Sequence, residues 1–218
     1  MILAAGRGER LRPLTERVPK ALLEVGGRSL IARHLERLAA AGFRDVVVNV
    51  SHLGEAIERA LGGGAAFGVN IAYSREAKPL ETAGGIAQAA ALLGAEPFLL
   101  VNADIYCDFD FHGLQAFPLA PRLAHLVLVP NPSHRKGGDF SLAQGRVGSD
   151  AAPRYTYAGI AVLAPALVAG VRPPQKAPLA PLLYEAAERG LVSGEIFAGL
   201  WRDAGTPERL EELRALLK

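Results

Sequence analysis

The residues best suited to chemistry sit at the very start of the chain. Residues 3–20 read Leu-Ala-Ala-Gly-Arg-Gly-Glu-Arg-Leu-Arg-Pro-Leu-Thr-Glu-Arg-Val-Pro-Lys. An apolar run ends in small residues, then Gly6 and Gly8 flank a turn rich in cations. Glycines at such a turn let a ligand reach main-chain N–H groups, and Arg7, Arg10, Arg12 and Lys20 make that ligand an anion. A nucleotide's phosphate chain is the simplest candidate. A dinucleotide fingerprint needs a third glycine near position 11, where Leu11 stands, and the Gly-Lys-Ser/Thr of a P-loop is absent. A phosphate cradle of another kind remains.

Two carboxylates extend this reading. Asp104 follows directly on the apolar run 97–101, in Asn102-Ala103-Asp104. A carboxylate in a pocket for phosphates calls for a divalent cation between the two, although capping of the next turn would also explain it. Asp203 lies in Trp201-Arg202-Asp203-Ala204-Gly205-Thr206. It could cap the last helix, but Thr206 already fills that role. Lone carboxylates at element ends suit all-oxygen Mg²⁺ coordination completed by water. Pro79-Leu80-Glu81-Thr82-Ala83-Gly84-Gly85 opens a helix with polar and small residues, so it either reads a base edge or is an ordinary helix start. His134-Arg135-Lys136, before Gly137-Gly138, forms a basic loop that either meets substrate or is simply solvated.

The elements that must position these groups alternate. Strands are expected at 1–5, 46–50, 69–73 and 97–101, and helices at 30–41 behind Ser29, at 54–61, and at 82–93. This order predicts an α/β fold, a Rossmann-like three-layer sandwich with a mostly parallel sheet and helices on both faces. Ligands of such sheets bind outside the C-terminal strand ends, where both the glycine turn and Asp104 fall. Further on, strands are expected at 123–129, 157–163 and 192–197, and helices at 178–189 and 206–217. Residues 137–147 read as a small β-hairpin lobe over the strand ends. Nothing marks a domain boundary, so residues 1–218 are expected to form one domain.

Half of the residues are hydrophobic, enough for a large core, and the formal net charge of +2 does not argue for nucleic acid. No apolar run nears the roughly 20 residues of a membrane span. The single cysteine, Cys107, excludes an internal disulfide and a Cys-based metal site. With no signal-peptide pattern at the start, these features lead us to expect a cytoplasmic protein. The composition leaves a monomer or a small homo-oligomer open.

Taken together, the segment from Leu3 to Thr15, Pro19-Lys20, Asp104 and Asp203-Ala204-Gly205-Thr206 resembles the signature of the sugar-1-phosphate nucleotidyltransferases over nearly the whole chain. The resemblance implies a glycosyltransferase-A-like nucleotidyltransferase fold, with no room for the C-terminal β-helix of some members. Leu80 to Ile86, Phe98 to Asn102, Ala124 to Val129, Asn131-Pro132, Gly138-Asp139-Phe140 and Val192-Ser193-Gly194-Glu195 are similar to a uridylyltransferase branch whose sugar bears a lactyl carboxylate. Two departures from the wider family are Ala103, where a Gly is common, and Glu9, where a Thr is.

The substrates so implied are a nucleoside triphosphate, UTP in that branch, and a sugar 1-phosphate. The cofactor implied is Mg²⁺, held by Asp104 and Asp203. The nucleotide site implied comprises Ala4, Ala5, Gly6, Arg7, Gly8, Glu9, Arg10, Lys20, Glu81, Gly84 and Asn102. Arg10 and Lys20 would be catalytic, the first on the leaving pyrophosphate and the second between the attacking phosphate and the α-phosphate. Asp139, Gly159 and Glu195 are expected to face the sugar.

Overall fold

The computed structural model describes residues 1–150 and 152–217. A nine-stranded sheet runs through it, in the spatial order Asn70–Arg75, Asp45–Val50, Ile2–Leu3, Phe98–Asn102, Arg154–Leu163, Ala124–Val129, Val192–Ile196, Arg146–Gly148, Phe140–Ala143. The first four are parallel to one another. Arg154–Leu163 runs antiparallel to both of its neighbours, so the sheet is parallel on one side and mixed on the other. The hairpin expected as a lobe is instead the edge of this same sheet. Its strands pair with Val192–Ile196 and Arg154–Leu163.

The chain leaves Ile2–Leu3 toward one sheet edge and Phe98–Asn102 toward the other. Their adjacent C-terminal ends therefore form the switch point at which such sheets hold ligands.

Helices Leu30–Ala40 and Gly54–Leu61 bury Ile31, Leu35, Leu38, Ile57 and Leu61 on one face of the sheet. Glu81–Gln88 and Ala180–Glu188 bury Ala83, Ile86, Leu183 and Ala186 on the other. The helix expected over 82–93 is broken at Ala89, and its second piece is Ala90–Leu93. A third, smaller core lies off the sheet. There the last helix, Pro207–Leu216, presses Leu210 and Leu213 against Leu11, Leu23, Val25 and Leu30. Ser29 and Thr206 cap their helices as the sequence predicts, accepting from the amides of Ala32 and Arg209, both at 3.4 Å.

His34, on the inner face of the first helix, carries a pH dependence. Its Nε2 lies 2.9 Å from the Ile105 carbonyl, and burial holds its pKa down to about 4. The unfolded chain takes up this proton near pH 6.5 and the folded protein resists it, so stability falls as pH drops from about 6.5 toward 4. The full effect is on the order of 3 kcal/mol. Urea unfolding at pH 7 and pH 4.5 checks this: His34→Gln should flatten the loss, and an equal slope in both proteins would refute it.

Candidate active site

The loop that bears Gly6 and Gly8 is anchored from below. Leu11 is fully buried in the third core. Thr15 Oγ1 donates to the Gly8 carbonyl at 2.8 Å. Gly8 has φ of 64°, and a Cβ there would stand 2.7 Å from Thr15 Cγ2. Glycine is therefore required twice, by backbone and by space. Around Gly6 a Cβ would meet nothing within 4 Å, because its backbone borders the open pocket. Ala4, Ala5, Arg7, Glu9, Arg10 and Lys20 line the same pocket.

A buried chain of hydrogen bonds ties this loop to the start of the helix Glu81–Gln88. The Ala4 amide donates to Asn49 Oδ1 at 2.8 Å, and Asn49 Nδ2 donates to Glu76 Oε1 at 2.7 Å. The Leu80 amide donates to Glu76 Oε2 at 2.9 Å. Asn49 is 3% exposed and Glu76 5%, so three strand ends share one rigid polar network. Sequence reading missed both residues, although a polar Asn49 inside a β-branched run was a visible signal. Gly85 is the space this network needs: a Cβ there would lie 2.6 Å from Glu76 Oε1 and 2.9 Å from Asn49 Nδ2. Gly85→Ala should lower the unfolding free energy by about 2 kcal/mol in urea titration, the order of cost of a buried polar group that loses its partner. A change within 0.5 kcal/mol, the usual spread of innocuous substitutions, would refute that role.

Gly84 departs from expectation. It is buried and does not line the pocket around the Gly6–Arg10 loop, because a Cβ on it would sit 2.4 Å from the Gln175 carbonyl oxygen. Its missing side chain makes room for the segment 175–177, not for a base. That segment is stitched on by Ala177 N to Leu80 O at 2.9 Å and Gly84 N to Ala177 O at 3.1 Å. It brings Lys176 to the pocket, 3.1 Å from the Glu81 carboxylate. Glu81 itself holds a left-handed φ of 60°, a strained backbone for a residue with a side chain. Glu81 and Thr82 line the same pocket as the Gly6–Arg10 loop.

A second pocket opens beside the first, and the two share Arg10, Asn102 and Asp104. Lys20 Nζ binds Asp104 Oδ2, with the lysine side chain 12% exposed and the carboxylate 36%. Strand Trp201–Asp203 pairs antiparallel with Ile105–Cys107, opposing Asp203 to Ile105, and the Ala204 amide donates to the Asp104 carbonyl at 2.9 Å. This two-stranded ladder, which sequence reading did not foresee, carries both aspartates into one pocket. Gly159, at φ 77°, lines that pocket where the ladder register of its strand shifts. A Cβ on it would strike Asn102 Nδ2 at 2.6 Å. Trp201 packs in the core and donates Nε1–H to the Ala158 carbonyl at 2.9 Å.

Two residues expected at the sugar are employed elsewhere. Asp139 is 9% exposed and accepts from Arg135 Nη2 and, at 2.9 Å, from the Tyr157 amide. It positions Arg135, and Arg135 in its place borders the second pocket. Glu195 lies on the sheet face, 3.3 Å from His125 Nε2, while His125 Nδ1 lies 2.9 Å from Ser193 Oγ. The strand's two-residue alternation puts Ser193 and Glu195 together beside His125, and neither borders the first or the second pocket. His134 lies 2.7 Å from Arg209 Nη1 and 3.1 Å from Asp203 Oδ2. Lys136 borders neither pocket. Arg209, on the last helix, was not foreseen.

A strand-end cradle of amides and cations, joined through shared residues to a second pocket that carries arginines and two aspartates, is the arrangement of a nucleotidyl-transferring enzyme. The nucleotidyl transferase family model matches residues 1–130, and the chain belongs to that family. It is 50% identical over 225 residues to the N-acetylmuramate alpha-1-phosphate uridylyltransferase of Neisseria meningitidis serogroup B, covering 99% of this chain and 96% of the relative. A second protein of that name, from Caulobacter vibrioides, is 35% identical over 95% of this chain and 92% of its own length. The solved structure of HddC from Yersinia pseudotuberculosis, complexed with GMP-PN, superposes with a TM-score of 0.80 over 100% of this chain and 98% of its own. At 19% identity it speaks for the fold alone. Among the described residues no helix is long and apolar enough to cross a membrane.

Proposed function

We propose that this enzyme transfers a uridylyl group from UTP to N-acetylmuramate 1-phosphate, giving UDP-N-acetylmuramate and pyrophosphate, in cytoplasmic recycling of cell-wall sugar. The observation that carries the reading is the meeting of two anion pockets at Arg10, Asn102 and Asp104. It is supported by 50% identity to a uridylyltransferase along 99% of the chain. Arg135, paired with Asp139, and Arg209, paired with Asp203, also border the second pocket, and a guanidinium fork suits a lactyl carboxylate as well as a phosphate.

An oxygen of the sugar phosphate attacks the α-phosphorus in line, and the bond to the pyrophosphate oxygen breaks. The nucleophile is already an anion at neutral pH, so the protein's task is to offset repulsion and hold the geometry. Amides of Gly6, Arg7 and Gly8 receive phosphate oxygens, and Arg10 steadies the leaving pyrophosphate. Lys20 lies between attacking phosphate and α-phosphate, while Glu81 and Thr82 face the base. Asp104 and Asp203 fit a divalent cation: they are all-oxygen donors brought side by side by the two-stranded ladder. Mg²⁺ keeps several waters and binds through one or two carboxylates together with substrate phosphates, so two aspartates are a sufficient protein share. Bound there, Mg²⁺ would neutralise charge on the α-phosphate and the sugar phosphate.

Pyrophosphate release, measured for UTP, dTTP, GTP and CTP against N-acetylmuramate, N-acetylglucosamine, glucose and mannose 1-phosphates, tests the reading. UTP with N-acetylmuramate 1-phosphate should give the highest kcat/KM. A preference for GTP with mannose 1-phosphate, or for a glucose 1-phosphate pair, would overturn it.

A further inference from the structure

Asp203 is held more completely than a prospective cation ligand needs to be. Its Oδ1 accepts from the Gly205 amide at 3.0 Å and lies 2.7 Å from Arg209 Nη1. Its Oδ2 lies 2.8 Å from the same nitrogen and 3.1 Å from His134 Nε2. Protein groups thus meet both oxygens, and the side chains of Asp203 and Arg209 are each only 17% exposed. The clasp is local. Gly205 lies between its partners in sequence, and a Cβ there would stand 2.5 Å from Asp203 Oδ1 and 2.6 Å from Arg209 Nη2. Beyond this carboxylate the guanidinium meets only side chains of its own surroundings, His134 Nε2 at 2.7 Å from Nη1 and Thr206 Oγ1 at 3.4 Å from Nε. It borders the second pocket together with Arg10 and Arg135.

We propose that Arg209 is a place-holder cation that changes partner during the catalytic cycle. In the free enzyme it neutralises Asp203. When a divalent cation takes that carboxylate, Arg209 is released to an oxyanion of the sugar phosphate, its phosphate or its carboxylate. The proposal rests on the reading of Asp203 as a cation ligand. A guanidinium and a divalent cation on one poorly solvated carboxylate repel each other, so one displaces the other. The exchange spares the protein a bare, half-buried carboxylate before the cation arrives. The released guanidinium stays beside the acceptor, and its planar fork suits phosphate and carboxylate alike.

Mn²⁺ is the probe, with free ion counted by electron paramagnetic resonance as enzyme is titrated in the absence of substrates. Arg209→Met should bind Mn²⁺ on the order of tenfold tighter than wild type, a typical size for coupling between two linked sites. Its KM for N-acetylmuramate 1-phosphate should rise about as much, with the Kd for UTP unchanged. Arg209→Lys keeps a charge without the fork, so its Mn²⁺ affinity should stay near wild type while acceptor binding weakens. Unchanged or weaker Mn²⁺ binding in Arg209→Met, with the melting temperature preserved, overturns the proposal. If Arg209→Met fails to fold, tight Mn²⁺ binding by Arg209→Lys does so. Asp203→Asn in the Arg209→Met background should abolish the gain. If the double variant binds as tightly as Arg209→Met, the assignment of Asp203 as ligand fails instead.

Discussion

A Lys20→Met variant is expected to release pyrophosphate about 10²–10³-fold more slowly than wild type, the loss typical of one preorganised charge at a developing anion. Its Kd for UTP should change by less than about tenfold, because binding draws on many donors and the reacting centre on few. The lysine side chain is 12% exposed and its ammonium rests on Asp104, where the two pockets meet, so a positive charge is already held beside the reacting centre. Methionine keeps most of the stem's packing, so the melting temperature should move little. Single-turnover kinetics under saturating UTP check the split, and an unchanged rate would remove Lys20 from the chemistry.

Asp104→Asn should be at least as damaging, on the order of 10³-fold, equivalent to about 4 kcal/mol of transition-state stabilisation. Asparagine matches aspartate in size, and its carbonyl can still accept from Lys20, so the fold should survive. The lost charge is what a divalent cation would need. The residual rate should therefore demand more Mg²⁺ for half-saturation. Near-normal turnover at ordinary Mg²⁺ would take Asp104 out of the cation site.

The sequence predicted well where the cause is local. Ser29 and Thr206 cap the helices they were expected to cap, and residues 54–61 form the expected short helix, closed at Gly62. The parallel half of the sheet follows from alternating runs, and its switch point follows from the order of those runs. Contacts between distant segments were not legible. Asn49 and Glu76 are 27 positions apart, and only the parallel pairing of their regions brings them together. Ile105–Cys107 and Trp201–Asp203 are too short for any period to show, yet that pairing joins the two aspartates. Glu195 and Asp139 were placed at the sugar by likeness of motif. Strand alternation gives one to His125, and a buried amide and guanidinium claim the other. Gly84 illustrates how a missing side chain can serve the protein's own backbone as readily as a ligand.

The third core also lets a distant helix act on the loop that bears Gly6 and Gly8. Leu210 and Leu213, on the helix Pro207–Leu216, help bury Leu11, Leu23 and Val25, although the two groups lie far apart in the sequence. Local opening of that helix would uncover the underside of the loop while the strands of the large sheet stayed paired. Protection of the loop against hydrogen exchange should therefore rise and fall with that of the helix.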